Sequence, residues 1–256
     1  MAKPRVCILR TAGTNCDKET AFAFRQAGAE TELVHVNRFI RGRAGLADYQ
    51  ILALPGGFSY GDDIAAGRIL ANELRTKLSA GLRQFIKDGK LIIGICNGFQ
   101  ILVKSGLLPG NPALGQEASL IINDCGSFRA EWVYLKTQSA GRGRRVKCVW
   151  AKGLPGDIYL PIAHGEGKFV VKDKSVLERL KKNNQIVLKY ADNPNGSLED
   201  IAGICDPTGR ILGLMPHPER HINMRQHPRW ERTAGGAPGH GLLIIKNGVE
   251  YAKKHL

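Results

Sequence analysis

No stretch of this sequence approaches the eighteen consecutive apolar residues that a membrane-spanning helix requires. The six cysteines, at positions 7, 16, 96, 125, 148 and 205, include no Cys-x-x-Cys pair, and no histidines stand at zinc-finger spacing from them. That scatter predicts neither a disulfide framework nor a structural metal. A Gly-x-x-x-x-Gly-Lys-Ser/Thr phosphate loop is also missing, and there is no internal repeat or low-complexity tract. Met1-Ala-Lys-Pro leads directly into a strand-like run without an apolar segment of signal-peptide type, which predicts a soluble, cytoplasmic chain.

What the sequence does have is charge of one sign. The formal net charge of +14 is compatible with nucleic acid, an acidic protein partner or a phosphorylated ligand, and composition does not choose among them. The densest basic run, Arg142-Gly-Arg-Arg-Val-Lys147, lacks interleaved aromatics and reads as a solvated loop or hairpin tip. At 256 residues the chain can bury a substantial core. No linker divides it, so residues 1–256 are expected to form a single domain.

Short branched runs alternate with amphipathic segments, the pattern of an α/β protein with a mostly parallel sheet. Strands are predicted at Arg5–Leu9, Thr31–Val36, Ile51–Leu54, Leu91–Ile95, Gln185–Tyr190, Ile201–Cys205 and Ile211–Met215. An antiparallel excursion is predicted at Ser119–Ile122, Glu131–Leu135, Val146–Trp150 and Lys168–Val171. A first helix, capped by Asn15 or Asp17, is expected to end at Gly28. Others are expected over 64–87 in two pieces broken near Gly81, over Asn97–Ser105, over Ser175–Asn183 with Asp173 or Ser175 as cap, and over Leu242–Lys254.

Lys90 to Gln100, Lys-Leu-Ile-Ile-Gly-Ile-Cys-Asn-Gly-Phe-Gln, puts one cysteine between an apolar strand and a helix. A tight bend at Cys96 would present its sulfur at the tip, and Gly94 and Gly98 remove the side chains that would collide there. A helix starting at Asn97 aims free amides and a partial positive charge at the sulfur, which favours the nucleophilic thiolate. Earlier in the chain, Pro55-Gly-Gly-Phe-Ser-Tyr-Gly-Asp-Asp63 falls at the carboxyl edge of the predicted sheet, where open α/β folds bind ligands. The amide of Gly57 is a candidate anion donor.

A thiolate needs a base that can also act as an acid, and histidine suits both tasks. His164-Gly-Glu166 and His217-Pro-Glu219 each offer an imidazole with a carboxylate two residues on, and spacing alone does not separate them. In extended backbone such residues point the same way, so either glutamate could orient its imidazole. His217 directly follows a predicted strand and is stiffened by Pro216 and Pro218, so catalysis is assigned to His217 and Glu219. His164 and Glu166 are read as a loop making local hydrogen bonds or touching substrate or partner. His221, His227 and His240 are expected to be exposed.

Gly94-Ile-Cys-Asn-Gly-Phe-Gln100 together with Pro216-His-Pro-Glu219 resembles the class I, or triad, glutamine amidotransferase domain. Gly13-Thr-Asn-Cys-Asp17, Pro55 to Asp63, His164-Gly-Glu-Gly167, Asn193-Pro-Asn-Gly-Ser197, Ile201-Ala-Gly-Ile204 and Gly213 to Arg220 narrow the resemblance to the glutaminase subunits of phosphoribosylformylglycinamidine synthases. One departure is Glu131 before Trp132, where the family usually has arginine. The resemblance implies a flavodoxin-like fold, L-glutamine as substrate, a Cys96 thioester, and Gly57 and Asn97 amides as oxyanion donors. It also places Gln100 close to bound glutamine; its alternative is a helix-surface amide. No cofactor is implied in this chain. ATP and magnesium are expected in a large synthase subunit, bridged to this one by a small third subunit. The alternative function is a glutaminase subunit serving another amidotransferase pathway.

Overall fold

The computed structural model describes residues 2–110, 115–137, 146–232 and 238–256. Runs of branched residues with no charge in their interior cannot be half solvated, and they become strands whose central residues are buried on both faces. These are β1 (Arg5–Arg10), β3 (Ile51–Leu54) and β4 (Leu91–Ile95), joined by β2 (Glu30–His35) at one edge. All pair in parallel, with β2 beside β1, then β3, then β4. Helices α1 (Asp17–Gln26), α2 (Val36–Ile40), α3 (Arg68–Thr76), α4 (Ser79–Lys87) and α5 (Asn97–Lys104) make the crossovers.

Past α5 come β5 (Ala118–Ile121), β6 (Arg129–Thr137), β7 (Asp157–His164), β8 (Lys168–Val171), α6 (Lys174–Lys182), β9 (Ile186–Tyr190), β10 (Ile201–Cys205), β11 (Ile211–Leu214) and α7 (His240–His255). β5 and β8 form a small separate ribbon. The others complete one nine-stranded sheet in the order β2-β1-β3-β4-β11-β10-β9-β6-β7, in which β11 is parallel to β4 and every later pairing is antiparallel. This is an α/β architecture with a parallel half and an antiparallel half. No helix among the described residues is long and apolar enough to cross a membrane.

Several sequence expectations need correction. The excursion is largely an extension of the main sheet, because β6 hydrogen-bonds to β9. β7, which the sequence reading missed, closes that edge with Pro161 in mid-strand, a position tolerated only where a missing N–H faces outward. Val146–Trp150 is no strand: Val149–Ala151 is a 3-10 turn, with buried Trp150 donating its Nε1–H to Arg210 O at 3.0 Å. The break between α3 and α4 falls at Lys77 and Leu78 instead of Gly81. Neither Asn15 nor Asp17 caps α1; Cys16 is at the cap position without a side-chain bond. Asp173 does cap α6, accepting from the amides of Ser175 at 2.9 Å and Val176 at 3.3 Å. Residues 142–145 of the basic run lie outside the described residues.

Candidate active site

Cys96 stands where β4 turns into α5, with φ 51° and ψ −107°. A side-chain-bearing residue rarely adopts that conformation, and holding it costs about 1–3 kcal/mol unless the surroundings over-determine it. They do: the Cys96 amide donates to Leu214 O at 2.8 Å, and its carbonyl accepts from Phe99 and Gln100 at 2.9 and 3.1 Å. Glycine makes the bend sterically feasible. A Cβ on Gly94 would lie 2.5 Å from Gly98 O, and one on Gly98 would strike the carbonyl of Leu54 on β3.

His217 follows β11, and its Nδ1–H donates to Glu219 Oε1 at 2.6 Å, both side chains being buried. Burial opposes protonation of this imidazole, but the Glu219 charge, then Cys96 and Cys16, outweigh it and hold its pKa well above the ordinary histidine value. The remaining nitrogen, Nε2, faces the thiols of Cys96 and Cys16 without closing a hydrogen bond of ordinary geometry to either. Gly56 is the floor beneath all three: a Cβ there would lie 2.9 Å from His217 Cε1, 3.1 Å from Cys16 Sγ and 3.4 Å from Cys96 Cβ.

The outward carbonyls of β7 form one wall. Pro161 O accepts from the His217 amide at 2.8 Å, and Ala163 O accepts from the Cys96 thiol at 3.6 Å. His164 ends that strand in phase with buried Ile158, Leu160 and Ile162. Its Nδ1 lies 3.1 Å from Asn123 Oδ1, an oxygen identified by Asn123 Nδ2 donating to two carbonyls, so Nδ1 carries the proton. Burial, with the nearby His217 charge, lowers the His164 pKa to about 4.

Cys96, His217, His164, Gly57, Gln100 and Glu166 line a cavity of about 390 Å³. Larger clefts of about 610 and 1080 Å³ contain neither Cys96 nor His217. Gly57 has φ 137°, and a Cβ there would come within 2.7 Å of Asn15 N, so the loop passes tightly over Gly13–Asn15. Asn97 opens α5, and first-turn amides have no intrahelical acceptor. Gln100 is no surface amide: it is buried, with Nε2 donating to Glu166 O at 2.7 Å.

The structure brings together every residue named from the sequence for this site, and adds four that were not singled out: Cys16, Ser59, Asp62 and Arg220. All four lie within the motif strings at 13–17, 55–63 and 213–220, but nothing in their spacing marked them individually. Cys16, Glu19, His217 and Glu219 offer ligand atoms within 4.8 Å of one another. The Arg220 guanidinium already occupies that cluster, donating to Glu19 Oε1 at 3.0 Å and Cys16 Sγ at 3.2 Å, and so supplies the positive charge a metal would bring. Three further histidines, His221, His227 and His240, are not exposed as expected. His221 is fully buried, donating from Nδ1 to Tyr159 O at 2.8 Å; His240 Nδ1 accepts from the Tyr159 amide at 3.0 Å; His227 is half-buried against Trp132 and Tyr159. Glu131, at the position of the family's usual arginine, pairs with Arg129 two residues earlier on the same face at 2.6 Å.

Residues 3–252 match the family model described as the CobB/CobQ-like glutamine amidotransferase domain. The chain is 47% identical to a phosphoribosylformylglycinamidine synthase subunit PurQ of Dehalococcoides mccartyi, over 99% of this chain and all of that one. Identity to the subunit of the same name from Methanococcus maripaludis is 42%, over 98% of each. Among solved structures it resembles a chain of PurLQS from Thermotoga maritima, with TM-score 0.76 and 32% identity over 98% of this chain and 99% of that one.

Proposed function

The chain belongs to the CobB/CobQ-like glutamine amidotransferase domain family, and on that premise we propose that it is the glutaminase subunit of a phosphoribosylformylglycinamidine synthase. The observation that carries the chemistry is the strained Cys96 at the tip of its elbow, facing an imidazole oriented by a buried carboxylate. In this reading residues 1–256 act as one glutaminase domain. The Cys96 thiolate attacks the carboxamide carbon of L-glutamine, and the amides of Gly57 and Asn97 hold the resulting oxyanion, each worth about 2.7–4 kcal/mol. Protonated His217 delivers its Nε2 proton to the departing ammonia. It then takes a proton from the water that cleaves the γ-glutamyl thioester, releasing glutamate and restoring the thiol. Glu219 fixes the tautomer and stabilises the imidazolium throughout.

The ammonia passes to a large synthase subunit, which uses ATP and magnesium to amidate formylglycinamide ribonucleotide, with a small subunit bridging the two. Neither ATP nor magnesium is assigned a place in this chain, and nucleic acid is not among the proposed partners. Relatives carrying the synthase name along their full length support that pathway over another amidotransferase route. The reading is tested by mass spectrometry of wild type and Cys96→Ala after exposure to an electrophilic glutamine analogue, with and without the large and small subunits. Labelling confined to Cys96 and increased by the partners is expected. Folded protein that takes no label under any condition would refute the glutaminase assignment, and amidated product with a different synthase would favour the alternative pathway.

A further inference from the structure

The two oxyanion donors proposed above belong to different elements, Gly57 to the loop after β3 and Asn97 to the first turn of α5. Donors stabilise a developing charge only if their separation is fixed before the reaction begins. The Asn97 side chain bridges the two elements. Its Oδ1 accepts from the Ser59 amide at 3.2 Å and the Ser59 hydroxyl at 2.5 Å, two residues beyond Gly57. Its Nδ2 donates to Asp62 Oδ1 at 3.1 Å and to Gln100 Oε1 at 2.9 Å. Asp62 Oδ1 also accepts the Gly67 amide at 2.9 Å, at the start of α3. Through Gln100 the chain of bonds reaches Glu166 O, at the turn that follows His164.

We propose that Asn97 acts through its side chain as a positioning residue, locking the Gly57 loop to the start of α5, with Ser59 and Asp62 as its anchors and Gln100 as its extension toward His164 and Glu166. The proposal rests on the glutaminase reading of Cys96. Two observations support it. Asn97 and Ser59 are buried, so their polar atoms would be costly there unless bonded, whereas an apolar side chain would fill the same space without that demand. The loop they anchor is also held out of relaxed backbone, with φ 57° and 54° at the non-glycine residues Tyr60 and Asp62, a conformation that persists only when its surroundings impose it.

An interaction felt only in the transition state changes turnover rather than substrate affinity. Asn97→Leu retains the backbone amide and loses the bridge, while Ser59→Ala loses one anchor and is the milder variant should the first fail to fold. Both are expected to lower kcat, Asn97→Leu by about 10²-fold; Ser59→Ala, which leaves the Asn97–Gln100 bond in place, should do so with glutamine affinity unchanged. Labelling of Cys96 by a ketone analogue of glutamine, whose oxygen must enter the oxyanion hole, should fall in parallel. Alkylation of Cys96 by iodoacetamide, which needs no such hole, should proceed at the wild-type rate. Asn97→Asp should lose activity by facing Asp62 with a second carboxylate, and adding Asp62→Asn should restore part of it by reversing donor and acceptor. Unchanged kcat in Asn97→Leu and Ser59→Ala would overturn the proposal, as would iodoacetamide and analogue rates falling together, which would mean the whole elbow had moved. Wild-type protein alkylated by iodoacetamide but untouched by the analogue, even with the large and small subunits present, would instead sink the glutaminase reading on which the proposal rests.

Discussion

His164 and His217 line one cavity, and their surroundings drive the two imidazoles in opposite directions. At His164 burial dominates, aided by the nearby His217 charge, so the neutral form persists to a pKa of about 4. At His217 burial is opposed by Glu219, Cys96 and Cys16, and the charged form is favoured. Environments that push two like groups apart separate their roles, and the charged form favoured at His217 accords with its proposed role as the proton carrier.

His164 makes the fold sensitive to acid. Its pKa falls from an ordinary 6.5 to about 4 on folding, so between those values the unfolded chain binds more protons. Stability from this group is full above about pH 6.5 and is lost as pH drops toward 4, a change on the order of 3 kcal/mol. Denaturant titrations of wild type and His164→Gln across that window should show a steeper decline for wild type. Identical pH dependence would refute the assignment.

Glu219→Gln removes the largest influence that raises the His217 pKa and leaves burial opposed by Cys96 and Cys16 alone. A group needed in its protonated form is lost as pH rises through its pKa. The basic limb of the rate profile should therefore move to lower pH, with the maximum rate down roughly 10²- to 10⁴-fold. A basic limb that stays in place would show that Glu219 does not tune this imidazole.

The positive φ at Cys96 reverses an ordinary mutational ranking. Glycine normally destabilises relative to alanine, but at φ 51° it relieves strain. Cys96→Gly should be more stable than Cys96→Ala by about 1 kcal/mol in thermal or chemical denaturation, both being inactive. The opposite order would mean that the elbow relaxes once the thiol is gone.

Gly56→Ala tests the floor of the site. The added methyl would press on His217 Cε1 and Cys16 Sγ, at 2.9 and 3.1 Å. Activity should fall about 10²-fold while the far-ultraviolet circular dichroism spectrum is retained. Wild-type turnover would show that these groups can shift without losing alignment.

How much of this could be read from the sequence depended on the reach of the interactions involved. The elbow was legible because a Gly-x-Cys-x-Gly spacing after an apolar run reports a local steric demand, and Gly94 and Gly98 meet that demand. β7 was obscured by Pro161, although Ile158, Leu160, Ile162 and His164 alternate with more exposed residues as a strand requires. That alternation would have placed His164 on an inward face. Val146–Trp150 misled in the other direction: its residues favour strands, but the Trp150 ring is drawn into the core beneath Gly248, a contact no local pattern encodes. His221 and His240 were hidden by polar neighbours, and their placement follows from the backbone of Tyr159, 62 and 81 residues away in the chain. The bonds from Asn97 to Ser59 and Asp62 are of the same kind, short in space and long in sequence.

A β-sheet that ends in a bare strand invites another chain to add to it, and proteins guard such margins against polymerisation. β7 is such a strand, and its free side is closed from within the molecule. Tyr159 exchanges bonds with His221 and His240, Pro161 has no N–H to offer and receives the amide of His217, and Ala163 receives the thiol of Cys96. Two of the residues proposed to cleave glutamine, His217 and Cys96, thus also cover part of the outer border of the sheet.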